Sequence, residues 1–195
     1  MHFAARVLLK ILRVELRVSR PIPQDHFIFA NHQGWFDFVV LSALSPVRFI
    51  AKREVSAIPV IGRAATCVKT LFVDRGVPID KQVKLKQDIL TSKHPIACFP
   101  EGTTNAKVGK LKLGVLNFVE GIEKPAIAVF LRFDPQAPIL FVGDEPLGQS
   151  ISKLFGFRGK ICVDITWIYL DLEKGKYSEQ TSLFFKSVEK STSEF

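Results

Sequence analysis

The residue best equipped for proton transfer in this chain is His32, in the run Asn31-His32-Gln33-Gly34-Trp35-Phe36-Asp37, which places a carboxylate five positions on. A neutral imidazole can take the proton from a hydroxyl as its oxygen attacks a carbonyl. A carboxylate on the other ring nitrogen fixes the tautomer and stabilises the imidazolium that forms. Residues five apart on a regular helix point roughly 140° from each other, so the two side chains can meet only across a loop or the entry turn of a helix. Taken alone, a His with an Asp nearby is more often a structural hydrogen bond. A metal site would need a third ligand of recognisable spacing, and no His-rich or Asp-rich companion cluster stands in the sequence.

Two more polar runs follow apolar segments: Phe72-Val73-Asp74-Arg75-Gly76 and Phe99-Pro100-Glu101-Gly102-Thr103-Thr104. Arg75 suits an anion, because a guanidinium binds two phosphate oxygens at once; its ordinary reading is a surface ion pair with Asp74 or Glu101. Glu101 offers a carboxylate to a substrate hydroxyl or to Arg75. Gly102 lets backbone N–H groups approach a phosphate closely. The plain alternative for Glu101, Gly102, Thr103 and Thr104 is a turn whose Thr caps the next helix. Lys52 and Lys112 are weaker candidates, since lysines are abundant here. Cys67, Cys98 and Cys162 are odd in number and widely spaced, which gives neither a disulfide framework nor a zinc pattern and points to a reducing compartment. Cys67 and Cys98 sit in apolar settings typical of inert buried thiols, and no Gly-x-Ser-x-Gly elbow occurs.

These groups need a scaffold. Short apolar runs recur at 26–30, 48–51, 70–73, 96–99, 127–133 and 161–170, with a helical pattern over 80–90 between two of them. Strands alternating with helices predict an α/β fold with a mixed, largely parallel central sheet flanked by helices. The polar runs then fall at the carboxyl ends of strands, where ligands of such sheets bind. The 195 residues suit a single domain.

The net charge is +8, and residues 1–20 hold five bases against one acid. Residues 3–18 read as one helix with Arg6, Lys10, Arg13 and Arg17 in a narrow arc beside a broad apolar face, the pattern of a helix lying in a membrane interface. A helix packed on the domain with a solvated basic side fits the periodicity equally, and Glu15 falls awkwardly in the apolar sector. A mitochondrial-type presequence ranks behind both, and no secretory signal is expected. Nucleic-acid binding is not expected either, because no module is present and the bases border apolar residues instead of stacking aromatics. No run of about 18 uncharged apolar residues occurs. The expected organisation is therefore a membrane-interface helix over 1–20, a domain over 21–186 and a frayed tail over 187–195.

Taken in order, His32-x-x-x-x-Asp37 within Asn-His-Gln-Gly, then Phe-Val-Asp-Arg, then Phe-Pro-Glu-Gly-Thr resembles the glycerolipid acyltransferase family, which includes lysophosphatidic acid acyltransferases. Lys52, Pro59 and Gly62 match its Lys-rich segment, and Lys112-Leu113-Gly114 its Lys-x-Gly; the likeness runs from about Phe27 to Val129. The resemblance implies direct acyl transfer to a lysophospholipid hydroxyl, lysophosphatidic acid first, with His32 and Asp37 as the catalytic pair. Lys52, Arg75, Glu101, Gly102, Thr103, Thr104 and Lys112 would bind substrate. It implies no cofactor or metal, with acyl-CoA or acyl-carrier protein as co-substrate, and peripheral attachment at the cytoplasmic face of a membrane. Thr104 stands where many members have Arg, which leaves lysophosphatidylcholine-type and lyso-aminolipid acceptors open. Residues 126–130 match the fourth motif only loosely, and the region before the first motif is short. A non-catalytic membrane or lipid-droplet adaptor with this fold, and a hydrolase, are the rival readings.

Overall fold

The computed structural model describes residues 2–58, 61–74, 76–78, 81–104, 107–134 and 147–191. Helix α1 (His2–Ile11) leads into strand β1 (Val14–Val18), and β2 (Phe27–Ala30) is followed by α2 (Phe36–Leu44). Then come β3 (Arg48–Lys52), a 3-10 turn, α3 (Ile61–Cys67), β4 (Leu71–Val73), α4 (Val83–Thr91) and β5 (Ile96–Cys98). The chain continues through α5 (Leu113–Gly121), β6 (Ala126–Phe133), α6 (Leu147–Gly156), β7 (Ile161–Leu170) and α7 (Tyr177–Lys190).

The strands form one seven-stranded sheet in the order β1-β7-β6-β2-β5-β3-β4. Strands β6, β2, β5, β3 and β4 run parallel to one another, β7 pairs antiparallel with β6, and β1 lies parallel to β7. Buried on both faces, the central strands read as unbroken apolar runs, Phe-Ile-Phe-Ala in β2 and Ile-Ala-Cys in β5. One core layer, including Ile28, Phe49 and Val129, packs under α1 and α2; the other, including Phe29, Ile96 and Ala128, packs against α4, α5 and α7. The carboxyl ends of the five parallel strands, and the amino ends of β7 and β1, therefore share one end of the sheet.

The N-terminal segment departs from the sequence expectation. The helix stops at Ile11, Arg13 adopts a left-handed conformation (φ 54°), and residues 14–18 enter the sheet as an edge strand. Val14-Glu15-Leu16-Arg17-Val18 alternates apolar and charged residues, a period of two that β7 selects by pairing with it. The misfit of Glu15 in a helical reading has its cause here: its carboxylate meets Arg17 and Lys160 beside the sheet. Arg17 thus leaves the stripe formed by Arg6 and Lys10. Residues 2–18 pack and pair with the rest of the sheet and its helices, α1 against α2 and β1 against β7. The expected tail is likewise helical up to Lys190, while residues 192–195 lie outside those described.

Candidate active site

Asn31 ends β2 by pairing with the backbone of β6. Its amide nitrogen donates to the Leu131 carbonyl (3.0 Å), and its side-chain oxygen accepts from the Leu131 N–H (2.7 Å). This buried bidentate contact extends the β2–β6 ladder and fixes the direction in which the chain leaves the sheet. The next residue is His32.

The pair at 32 and 37 meets through the entry turn of α2. The Asp37 carboxylate folds back over the turn that precedes its own helix, where Oδ2 accepts from the Gln33 N–H (2.7 Å) and the Gly34 N–H (3.0 Å). The same oxygen lies 2.7 Å from His32 Nδ1. Asp37 is fully buried, and its place in the first turn of α2 also favours negative charge. A carboxylate only accepts, so Nδ1 is the donor of this bond, and in a neutral imidazole so held the lone pair is on Nε2. The imidazole stacks on Phe99 (centroids 4.1 Å apart, planes 18° apart) and meets the Phe38 ring edge-on at 5.9 Å. The ring is thus held from below, from the side and through one nitrogen, with the other nitrogen available to a ligand.

His32 lines a cavity of about 300 Å³ together with Lys52, Phe99, Gly102, Lys112 and Gly114. Lys52 Nζ donates to the Gly102 carbonyl (2.6 Å), which ties the end of β3 to the loop after β5. That loop is a tight turn: the Gly102 N–H donates to the Phe99 carbonyl (3.0 Å), and the Lys112 N–H donates to Pro100 (2.7 Å). Gly102 has φ +69°, a backbone conformation that favours glycine, and a Cβ there would stand 2.7 Å from Lys112 Nζ and displace that side chain. Glu101 is buried beneath the turn. The first turn of α5 opens beside Gly114 and Val115, so N–H groups without intrahelical acceptors lie at the cavity wall.

A second cavity of about 280 Å³ is lined by Ala4, Leu8, Trp35, Val39, Ala65 and Ile151 among others, and shares Phe38, Ala51 and Val55 with the first. Its lining is almost wholly hydrocarbon. Trp35 joins its wall to α6 by donating Nε1–H to Ser150 Oγ (3.1 Å).

The structure thus brings His32, Asp37, Lys52, Gly102 and Lys112 together. Thr103 is exposed, Thr104 is half-buried, and neither lines the cavity; Arg75 and Pro59 lie outside the described residues. Asp74, the ordinary partner considered for Arg75, is paired with Arg53 (Nη2 to Oδ2 3.0 Å). Cys98 is buried, and burial pushes its thiol up, out of reach of thiolate chemistry. Cys67, expected to be buried, is exposed at the end of α3, because that helix turns its Ala65 side inward. Sequence reasoning missed the roles of Phe38, Phe99 and Trp35. Phe99 and Trp35 lie within the quoted motifs, and their aromatic character beside a His was the available signal. Among the described residues no group of three or more His, Cys, Asp or Glu side chains could hold a metal ion.

Comparison with known proteins places this turn and cavity in context. Residues 13–142 match the model of the family described as Acyltransferase. The chain belongs to that family. A lyso-ornithine lipid O-acyltransferase of Pseudomonas aeruginosa is 32% identical over 166 residues, covering 79% of this chain and 63% of that protein. A 1-acyl-sn-glycerol-3-phosphate acyltransferase of Neisseria meningitidis serogroup B is 32% identical over 138 residues, 66% of this chain and 53% of its own. The chain therefore spans between half and two thirds of the length of these curated relatives. The crystal structure of the 1-acyl-sn-glycerophosphate acyltransferase PlsC from Thermotoga maritima shares the fold, with a TM-score of 0.67 at 22% identity over 99% of this chain and 76% of that one.

Proposed function

We propose that this acyltransferase-family chain moves a fatty acyl group from a thioester donor, acyl-CoA or acyl-carrier protein, to the hydroxyl of a lysophospholipid-type acceptor. The observation that carries the reading is His32 held by Asp37 through Nδ1 at a cavity that adjoins an apolar one across Phe38, Ala51 and Val55. His32 Nε2 takes the proton of the acceptor hydroxyl as its oxygen bonds to the thioester carbonyl carbon. The C–S bond then breaks, and the leaving thiolate recovers that proton from the imidazolium. N–H groups at the start of α5 stabilise the oxyanion between these steps. Asp37 orients the ring and stabilises its cationic form. The hydrocarbon-lined cavity accommodates an acyl chain. Lys52, Lys112 and the turn at Glu101, Gly102, Thr103 and Thr104 serve the polar part of the substrates, and Arg75 is assigned to the same role from its sequence motif.

Lysophosphatidic acid is the first acceptor on this reading. A lyso-ornithine lipid is the second, favoured by Thr104 in place of Arg and by the relative that covers most of the chain. Membrane attachment falls to α1. Its Ala5 and Leu9 face the domain, yet Phe3, Val7 and Ile11 point outward, with Phe3 79% exposed and Ile11 67%. Lys10 flanks that outward apolar strip, and Ala4 and Leu8 continue it into the acyl cavity, a surface suited to the interface of an anionic bilayer. No helix among the described residues is long and apolar enough to cross a membrane. Incubating the protein with labelled palmitoyl-CoA or palmitoyl-carrier protein and a panel of lysolipids tests the reaction. An esterified product from one acceptor is expected; free fatty acid alone would make the protein a hydrolase.

A further inference from the structure

We propose that the polar groove along the open edge of β4 binds the 3′-phosphoadenosine diphosphate end of acyl-CoA, a reading that rests on acyl transfer at His32. The groove encloses about 590 Å³, larger than either cavity at the reaction centre. Among the described residues no strand covers the outer side of β4, so the sheet edge forms its floor. Phe72 and Leu85 supply an apolar surface for a purine ring.

Its cations fall into two groups. Strands β3 and β4 run parallel and α4 starts after β4, so Arg53 and Lys84 lie toward the carboxyl end of the strands, where the reaction centre is. Arg48 and Lys69, which precede the ends of β3 and β4, lie toward the opposite end. A strand of three residues spans roughly 10 Å. Arg48 Nε donates to the Lys69 carbonyl (3.0 Å), which fixes the guanidinium at the groove, and Lys69 itself holds a left-handed backbone (φ 55°). Two acids also line the groove. Arg53 answers Asp74, which leaves Arg48, Lys69 and Lys84 facing Asp88 and a net positive field.

Adjacency to the reaction cavity orders the ligand. Lys52 lines the cavity and Arg53 the groove; Val73 lines the cavity and Asp74 the groove. The cavity and the groove therefore adjoin at the carboxyl ends of β3 and β4, and the groove runs back along the sheet edge to Arg48 and Lys69. Coenzyme A presents pantetheine, pyrophosphate, then a ribose bearing a 3′-phosphate and adenine. With the thioester at His32, the pantetheine arm leaves past Lys52, the pyrophosphate meets Lys84, and the 3′-phosphate meets Arg48 and Lys69.

Calorimetry with adenosine 3′,5′-bisphosphate tests the groove without any turnover, and binding to the wild type is expected. In the Lys69→Ala, Lys84→Ala double variant, a change of exposed side chains, that binding weakens about tenfold, the scale of a charge-assisted hydrogen bond. The ratio of kcat/KM for palmitoyl-CoA to that for S-palmitoyl-pantetheine falls by the same factor. Palmitoyl-dephospho-CoA loses affinity in the wild type but little more in Lys69→Ala. No bisphosphate binding, an equal loss with the pantetheine donor, or transfer from acyl-carrier protein alone would each overturn the proposal. Nucleotide binding in a protein that transfers no acyl group would support the groove and remove the reaction assigned to His32.

Discussion

The turn from His32 to Asp37 and the arm from His2 to Val18 obtain their shapes by opposite routes. In the turn, the decisive contacts are local: one carboxylate oxygen gathers two backbone N–H groups and the imidazole, all within six residues. In the arm, α1 packs on α2 and β1 pairs with β7, some 147 residues along the chain. A short-range network keeps its geometry against changes elsewhere. The arm instead depends on partners distant in sequence.

The contrast sets an order of effects. The largest belongs to Asp37→Asn, which replaces the charged acceptor shared by three donors with a neutral amide. Acyl transfer should fall on the order of 10³-fold or more through loss of the correct tautomer, and thermal unfolding should shift downward because the backbone donors of Gln33 and Gly34 lose a charged acceptor. Activity retained in that variant would break the assignment of the turn. Next comes Leu9→Ala on the buried side of α1, where a cavity costs about 2–4 kcal/mol in denaturant unfolding. If α1 were an independent appendage, the same change would leave the main transition untouched. Gly102→Ala should lower activity more than stability, because the added methyl meets Lys112 at the cavity wall. The double change Phe3→Ser, Ile11→Ser alters only outward side chains. It should weaken flotation with anionic vesicles while leaving the unfolding midpoint within about 0.5 kcal/mol of wild type. The smallest effect is expected for Glu15→Gln, whose ion pairs are exposed and screened; no measurable change in melting temperature should follow.

The same contrast explains what could be read from the residues alone. Strands β2, β5 and β6 announce themselves as apolar runs, because strands buried on both faces carry no competing pattern. The meeting of His32 and Asp37 at a helix entry follows from their five-residue spacing. Strand β1 was hidden because Val14 to Val18 continues the spacing of bases begun in α1, and only the presence of β7 turns its alternation into a strand; Glu15 was the one sign. The extent of α7 past residue 187 was hidden too, since Phe185 anchors the helix from within the core while its last turn is polar. Lys52 and Lys112 stood out from the other lysines only through the resemblance to the family. Their place at the cavity depends on the loop at Gly102, whose tight turn brings two distant chain segments over one glycine.

The most direct test of the account is acyl transfer by wild type and His32→Ala, measured side by side with a labelled acyl thioester and the preferred lysolipid in mixed vesicles. His32 is partly exposed at the cavity, so its removal should leave the unfolding transition close to that of wild type while the rate falls on the order of 10² to 10⁴-fold. Equal rates in the two proteins would contradict the role given to His32. An absence of transfer by well-folded wild type, from either donor to any acceptor, would contradict the reaction itself and leave the fold serving as a membrane adaptor.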